Sequence, residues 1–288
     1  MRIMELYMEI SSFLSEMDIK NDIESIDGIS VIHAHTYSKG KTISIISVPV
    51  KEGTIKDARD LSRHISSLAD KLTIATGHRP LIITEDRWKS QADMTRSRLL
   101  AHLEIFTQLY ARNCEVRKID KKTAAEFLKE HHSYGDASCR YRYGLYIKRH
   151  TGHNSGSTAV LPGCLVAVAT FSNGRRWLKG DKTIRSYEWT RYSSLPEVRL
   201  NGGMGRLLKA FITEVRPDDI MTYADLEWSE GKVYEALGFT LEGWKPPVTF
   251  RIDTSEWSRT PISSDESTTC RYYQNFGSNK YRLKLTEY

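Results

Sequence analysis

Asn201-Gly202-Gly203-Met204-Gly205 stands between a strand-like segment and a run in which Leu207, Leu208, Phe211, Ile212 and Val215 recur at three- and four-residue spacing. That change of period marks the start of an amphipathic helix directly after the glycines. The first amides of such a helix have no acceptor within it and sit at the positive end of its dipole, so the turn is a cradle for an anion. Glycine suits the position because a Cβ would obstruct both the tight bend and the close approach of a phosphate. Arg199 and Arg206 flank the turn with positive charge, which makes residues 199 and 201–206 the candidate phosphate-binding set. A Gly-rich turn ahead of a helix also serves as a plain connection, and that reading stands beside the first.

The rest of the chain divides into two parts. Residues 1–112 read as a smaller α/β unit. VIHAHTY and TISIISVPV are joined by Ser38-Lys39-Gly40-Lys41 as a hairpin. Ala58, Leu61, Ile65, Leu68, Ala69 and Leu72 then line one face of a helix. LIITEDRW reads as a short strand, followed by a long helix from Ser90 to about Tyr110. Residues 113–288 alternate more closely. CEVRKI is a strand, Asp120 caps a helix carrying Ala124, Phe127, Leu128 and His131, and RYRYGLYI, CLVAVATF and SYEWTRY are strands around a loop at Thr151–Gly163. After the glycine turn and its helix come a strand at Ile220–Asp225 and a short helix at Lys232–Leu237 stopped by Gly238. The Ser/Thr/Asp-rich stretch Thr254–Thr269 reads as mobile.

This order of elements, with Tyr234 followed by Gly238-Phe239, resembles the second half of GNAT acetyltransferases. The strings EDRW, YARNCEVRKI, EHHSYG, YEWTRY, NGGMGRLLKAFI, TYADLEWSEGKVYEALGF and YYQNFGSNKYRLKL together resemble the GNAT-like domain of phage-borne proteins. These include the Mom DNA-modification family and domains of homing-endonuclease-like proteins. The likeness runs from about Leu81 to Tyr288 and is most specific from Thr222 to Phe239. It implies a central mixed, mostly antiparallel sheet flanked by helices, an acyl-CoA donor such as acetyl-CoA at the glycine turn, and an amino group as acceptor, for which a DNA base is one candidate. It further implies an active centre of Arg191, Asp225 and Tyr234, with His132 near the acceptor entrance. The chain departs from the usual Gln/Arg-x-x-Gly-x-Gly/Ala motif. With Gly203 and Gly205 aligned, Leu200 takes the place of Gln/Arg; with Arg199 and Gly202 aligned, Met204 takes the final small position.

Each candidate has a structural alternative. Asp225 lies at the end of a strand, where open α/β sheets place ligands, and also where a carboxylate caps a turn. Tyr234 is suited to returning a proton to a thiolate, and equally to filling a core. Imidazole as a side-chain type titrates near neutrality, which suits His132 to the role of a base, and a histidine at a helix end also answers the dipole. His33 and His35 alternate on one strand face without an evident third metal ligand, and Asp57, Asp60, Glu85 and Asp86 form no clear nuclease constellation, so no metal is expected.

Charge narrows the partner class. The chain carries a formal +6, and Glu130–Arg216 holds fourteen Lys/Arg against six Asp/Glu, so the basic excess is local. It fits a coenzyme pyrophosphate or a nucleic-acid backbone, and Tyr141, Tyr143, Tyr146, Trp177, Tyr187, Trp189 and Tyr192 are interleaved with its arginines. Four scattered cysteines indicate neither a disulfide framework nor a CxxC metal site. The absence of any long apolar window and of an apolar leader gives a cytoplasmic expectation with no membrane partner.

Overall fold

The computed structural model describes residues 5–36, 41–149, 161–229, 231–262 and 269–288. The mixed α/β class expected from the sequence is the one observed. The chain forms two compact units, and the division is not a single cut. The first unit comprises Met1–Glu104, Asp225–Ser229 and Lys245–Ser278; the second comprises Ile105–Ala224, Glu230–Trp244 and Asn279–Tyr288. The sequence suggests one boundary at 112/113; the C-terminal stretch that returns to the first unit carries no compositional mark, and it brings the two units to similar size.

In the first unit, α1 (Leu6–Glu16) precedes an antiparallel meander of β1 (Lys20–Ile26), β2 (Ile29–Thr36) and β3 (Lys41–Val48). The two-residue strand β4 (Glu52–Gly53) leads to α2 (Ile55–Thr76), whose start is fixed by a capping box between Thr54 and Asp57 and whose end is fixed by Gly77 at φ 73°. The expected stripe is buried at Ala58, Ile65, Leu68, Ala69 and Leu72. β5 (Leu81–Thr84) returns parallel to β3. Two expectations fail here. EDRW is not strand but opens α3 (Glu85–Ser90), and α4 (Ala92–His102) stops well short of Tyr110. Glu104 at φ 65° ends that helix, and residues 107–110 are a strand.

The second unit starts with that strand, β6 (Thr107–Tyr110), followed by β7 (Cys114–Lys118) and α5 (Lys121–His131), which Asp120 caps by accepting the Thr123 amide at 2.8 Å. β8 (Tyr141–Ile147), β9 (Leu165–Phe171), β10 (Arg175–Lys179), β11 (Lys182–Ser194) and β12 (Val198–Asn201) precede α6 (Gly203–Val215). β13 (Asp219–Asp225), α7 (Lys232–Ala236) and β14 (Thr240–Lys245) follow. The next three strands belong to the first unit: β15 (Thr249–Asp253), β16 (Ser258–Pro261) and β17 (Cys270–Gln274), in the order β16-β15-β17-β4. β18 (Ser278–Lys284) closes the second unit's sheet, ordered β14-β18-β13-β11-β9-β8-β7, with β10 on β11.

β9 is buried at every position but Leu165, as its continuous apolar run requires of a strand covered on both faces. One cover is α6, whose Phe211 stacks on Phe171 with ring centroids 3.9 Å apart and meets Tyr141, Tyr143 and Tyr187 edge-on. The other includes α5, through Ala124, Phe127 and Leu128 against Val168.

The stretch expected to be mobile is in part an ordered hairpin. Residues 263–268 lie outside the described set, but β16 pairs with β15 and delivers Arg259 into the first unit's interior, its side chain 7% exposed. The guanidinium donates from Nε to Asp86 Oδ2 (2.5 Å), from Nη1 and Nη2 to the two Glu227 oxygens (2.9 Å each), and from Nη2 to Thr84 Oγ1 (2.9 Å). It also lies 4.4 Å from the Tyr273 ring centre. Burial opposes the charge, and the attraction of Glu227 and Asp86 outweighs it, holding the guanidinium well above its ordinary pKa.

Candidate active site

The glycine turn opens α6 as its composition suggests, and local packing accounts for part of its composition. Gly202 is the N-cap residue of α6 with φ 76°, a conformation that penalises a side chain. A Cβ on Gly203 would stand 2.5 Å from Leu200 Cδ2, so that glycine is demanded by packing beneath the turn. A Cβ on Gly205 would stand 3.3 Å from Leu237 Cδ2, at the end of α7. The first intrahelical bond runs from the Arg206 amide to Gly202 O (3.0 Å), which leaves the amides of Gly203, Met204 and Gly205 at the positive end of a 13-residue helix.

Sequence reasoning missed what holds the turn. β12 pairs in parallel with β6, from Val198↔Thr107 to Asn201↔Tyr110, and the short helical turn after β6 presents Ala111 O to Arg206 Nη1 at 2.7 Å. Arg199 is exposed and rests over the Phe106 ring at 5.3 Å. Both arginines therefore flank the turn, Arg199 against Phe106, which the sequence places in a helix, and Arg206 against Ala111, just beyond that helix's expected end.

The second element is a parting of strands. β11 and β13 pair in parallel at only three positions, Ser186↔Asp219, Tyr187↔Ile220 and Glu188↔Met221. Beyond them β11 continues on β9 alone, with a bulge between Trp189 and Arg191 that redirects it. At the point of divergence Thr222 Oγ1 donates to Trp189 O at 3.1 Å. The rings of Trp189, Tyr192, Tyr234 and Phe239 gather here, with Trp189–Tyr234 at 6.0 Å and Trp189–Tyr192 at 6.1 Å.

Two hydroxyls belong to this place. Tyr234, on α7, packs its ring on Trp189, Phe239 and Tyr281; burial pushes its phenol above the ordinary pKa, and the neighbouring Thr222 hydroxyl partly offsets that. Tyr192, on β11, is likewise pushed up by burial, and its Oη lies 3.3 Å from where a Gly203 Cβ would be. Tyr192 thus stands beneath the first turn of α6. The sequence offered it only as one of several aromatics, with nothing to single it out.

The other expected residues fall elsewhere. Arg191 is half-buried and donates from Nε to Gly135 O (3.1 Å) and from Nη1 to Thr190 O (2.8 Å), so it ties the segment after α5 to β11. His132 accepts the Tyr134 amide on Nδ1 at 3.1 Å, in a local turn. Asp225, the last residue of β13, belongs to the first unit; its Oδ1 accepts the Glu227 amide at 3.0 Å, the turn-capping alternative. With Glu227 it faces Arg98, whose guanidinium burial pulls down to about 9 against the attraction of both carboxylates.

His33 and His35 bond across the first unit's sheet to Glu24 and Ser44 and to Asp22 and Thr42. Asp57 caps α2, Asp60 pairs with Arg63, Glu85 accepts the Val50 amide, and Asp86 holds Arg259. Among the described residues no group of three or more His, Cys, Asp or Glu could hold a metal ion, and no helix is long and apolar enough to cross a membrane.

No protein-family model matches the chain, and no curated protein matches it. Among solved structures, a conserved Enterococcus faecalis protein of unknown function aligns over 48% of this chain and 35% of its own, at 12% identity and a TM-score of 0.35. The chain thus spans about a third of that protein's length. Spermidine N-acetyltransferase from Vibrio cholerae aligns over 60% of this chain and 94% of its own (12% identity, TM-score 0.35), and a GNAT-family acetyltransferase from Bacillus anthracis over 60% and 95% (12%, 0.33). Likenesses at this level assign neither family nor activity, and the architecture rests on the strand order and pairing described above.

Proposed function

We propose that the second unit is a GNAT-type N-acyltransferase that takes its acyl group from a coenzyme A thioester. The observation that carries this reading is the convergence, on one sheet, of the free amides of α6, the three-position pairing and parting of β11 and β13, and two half-buried tyrosines at the divergence. The residues fit such a donor. Amides of residues 203–205, with Arg199 and Arg206 alongside, are suited to a diphosphate, and the unpaired edges of two parting strands are suited to an amide-containing arm. A bound thioester supplies an activated acyl carbon and a thiolate leaving group.

The chain's own part is to bind, orient and move one proton. Tyr234 keeps its proton at neutral pH because burial disfavours the phenolate, so its hydroxyl is available to the departing sulfur, and the proton that the attacking amine gives up passes to water, from which the phenol is restored. Arg191 acts as a positioning residue, holding residues 132–135 against β11. Asp225 has no part in this account, its carboxylate being committed to the turn and to the charge of Arg98.

The acceptor is an amine, and the local basic excess over Glu130–Arg216 favours one carried by a polyanion, a nucleobase amine of DNA. A base within a duplex must leave the stack to be modified. The test is incubation of the full chain with acetyl-CoA and duplex DNA, followed by digestion and mass spectrometry of the nucleosides. An acylated nucleoside is expected. Unaltered DNA together with thiol release in the presence of small amines would move the acceptor to a free amine, and thiol release with neither would sink the enzymatic reading.

A further inference from the structure

The strand β10 was not foreseen from the sequence, and it forms a ribbon that the proposed transfer site does not use. It pairs antiparallel with the start of β11, from Arg175↔Ser186 to Lys179↔Lys182, around the two-residue turn Gly180-Asp181 with Gly180 at φ 56°. β11 joins β13 only from Ser186 onward, so residues 182–185 pair with β10 alone. Every residue of β10 is exposed, including Trp177 at 52% and Leu178 at 73%.

Between Arg175 and Arg185 the ribbon carries five cations against one carboxylate, Asp181. Arg185 is engaged with Arg216 O and Asp218, and Lys182 with Glu287 O. Arg175, Arg176 and Lys179 have no ion-pair partner among the described residues. Strand alternation and register place Arg175, Trp177, Lys179 and Lys182 on one face, and Arg176, Leu178 and Arg185 on the other. Cations thus project from both faces around a central apolar side chain.

We infer that this ribbon binds nucleic acid through its phosphodiester backbone. A two-stranded ribbon fits the major groove, where phosphates lie on either side of it, and guanidinium groups match phosphate geometry. An anionic membrane is disfavoured by the same register: insertion needs apolar residues on one face, and Trp177 and Leu178 point to opposite faces. The inference does not depend on acyl transfer and is tested without a donor.

The measurement is fluorescence anisotropy of a labelled 20-bp duplex with the full chain at salt from about 50 to 200 mM, a range over which phosphate contacts weaken steeply. Binding should fall linearly in log–log form. The triple variant R175A/R176A/K179A should bind at least about tenfold more weakly at the low end, with a salt slope shallower by roughly 3. These side chains are exposed and unpartnered, so thermal melting of the variant should match the parent. K121A/K122A, on the exposed start of α5, serves as control and should bind as the parent does. The inference is overturned if the parent fails to bind at low salt, or if the ribbon variant keeps the parent's affinity and slope. It is also overturned if vesicles containing phosphatidylserine, and not the duplex, are held through these residues.

Discussion

Arg259→Ala is expected to destabilise the first unit by about 3–5 kcal/mol, the range for removing one partner of a buried ion pair. The arginine is enclosed by Asp86 and Glu227, whose side chains are 1% and 2% exposed. Its loss removes the guanidinium to which both buried carboxylates are hydrogen-bonded, leaving Arg98 as the charge that faces Glu227. In a unit of this size the melting temperature should drop by roughly 10 °C, read by calorimetry or circular dichroism. The triad is contributed by α3 (Asp86), β16 (Arg259) and the 225–229 segment (Glu227), so it also fastens the returning C-terminal stretch to the first unit. Asp86→Asn in the Arg259→Ala background should recover part of the loss, because it removes one stranded charge; added loss would show that the carboxylate stabilises by another route.

Tyr234→Phe is expected to lower kcat for acyl transfer by about 100-fold or more, the lower end of what a positioned proton donor contributes. Phenylalanine keeps the ring contacts with Trp189, Phe239 and Tyr281 and gives up only the hydroxyl, so folding and donor affinity should be unchanged. The pH profile supplies an independent reading. Burial raises the folded pKa of this phenol, so the protonated, donating form persists through neutral pH and is lost only as pH rises past the ordinary phenol value near about 10. The parent should therefore show no loss from this group below that pH. A Phe variant with parental kcat would assign Tyr234 to packing alone.

The sequence made the second unit's central elements legible because each has a local cause: a glycine turn with a helical stripe behind it, an Asp120 cap, a doubly covered apolar strand, and Gly238 at φ 87° ending a short helix. What escaped it is non-local. Residues 107–110 carry no alternation that separates strand from helix, and their identity as strand comes from pairing with 198–201, far along the chain. Arg259 sits in a polar stretch with the composition of a loop, and only the distant Asp86 and Glu227 give it a reason to be inside. Asp225 illustrates the same limit, since the end of a strand is where both a catalytic carboxylate and a turn cap are found, and here the Glu227 amide occupies it. Tyr192 was one aromatic among many until the bulge after Trp189 and the tight contact under Gly203 gave it a place.

The amides at the start of α6 are expected to receive a diphosphate. The direct measurement is a thermal-shift titration of the full chain with coenzyme A beside pantetheine, which lacks the diphosphate. Coenzyme A at about 100 times its Kd should stabilise by about 2.7 kcal/mol, a rise on the order of 5–10 °C, with pantetheine giving a much smaller one. No rise with coenzyme A at millimolar concentration, or equal rises with the two compounds, would contradict it.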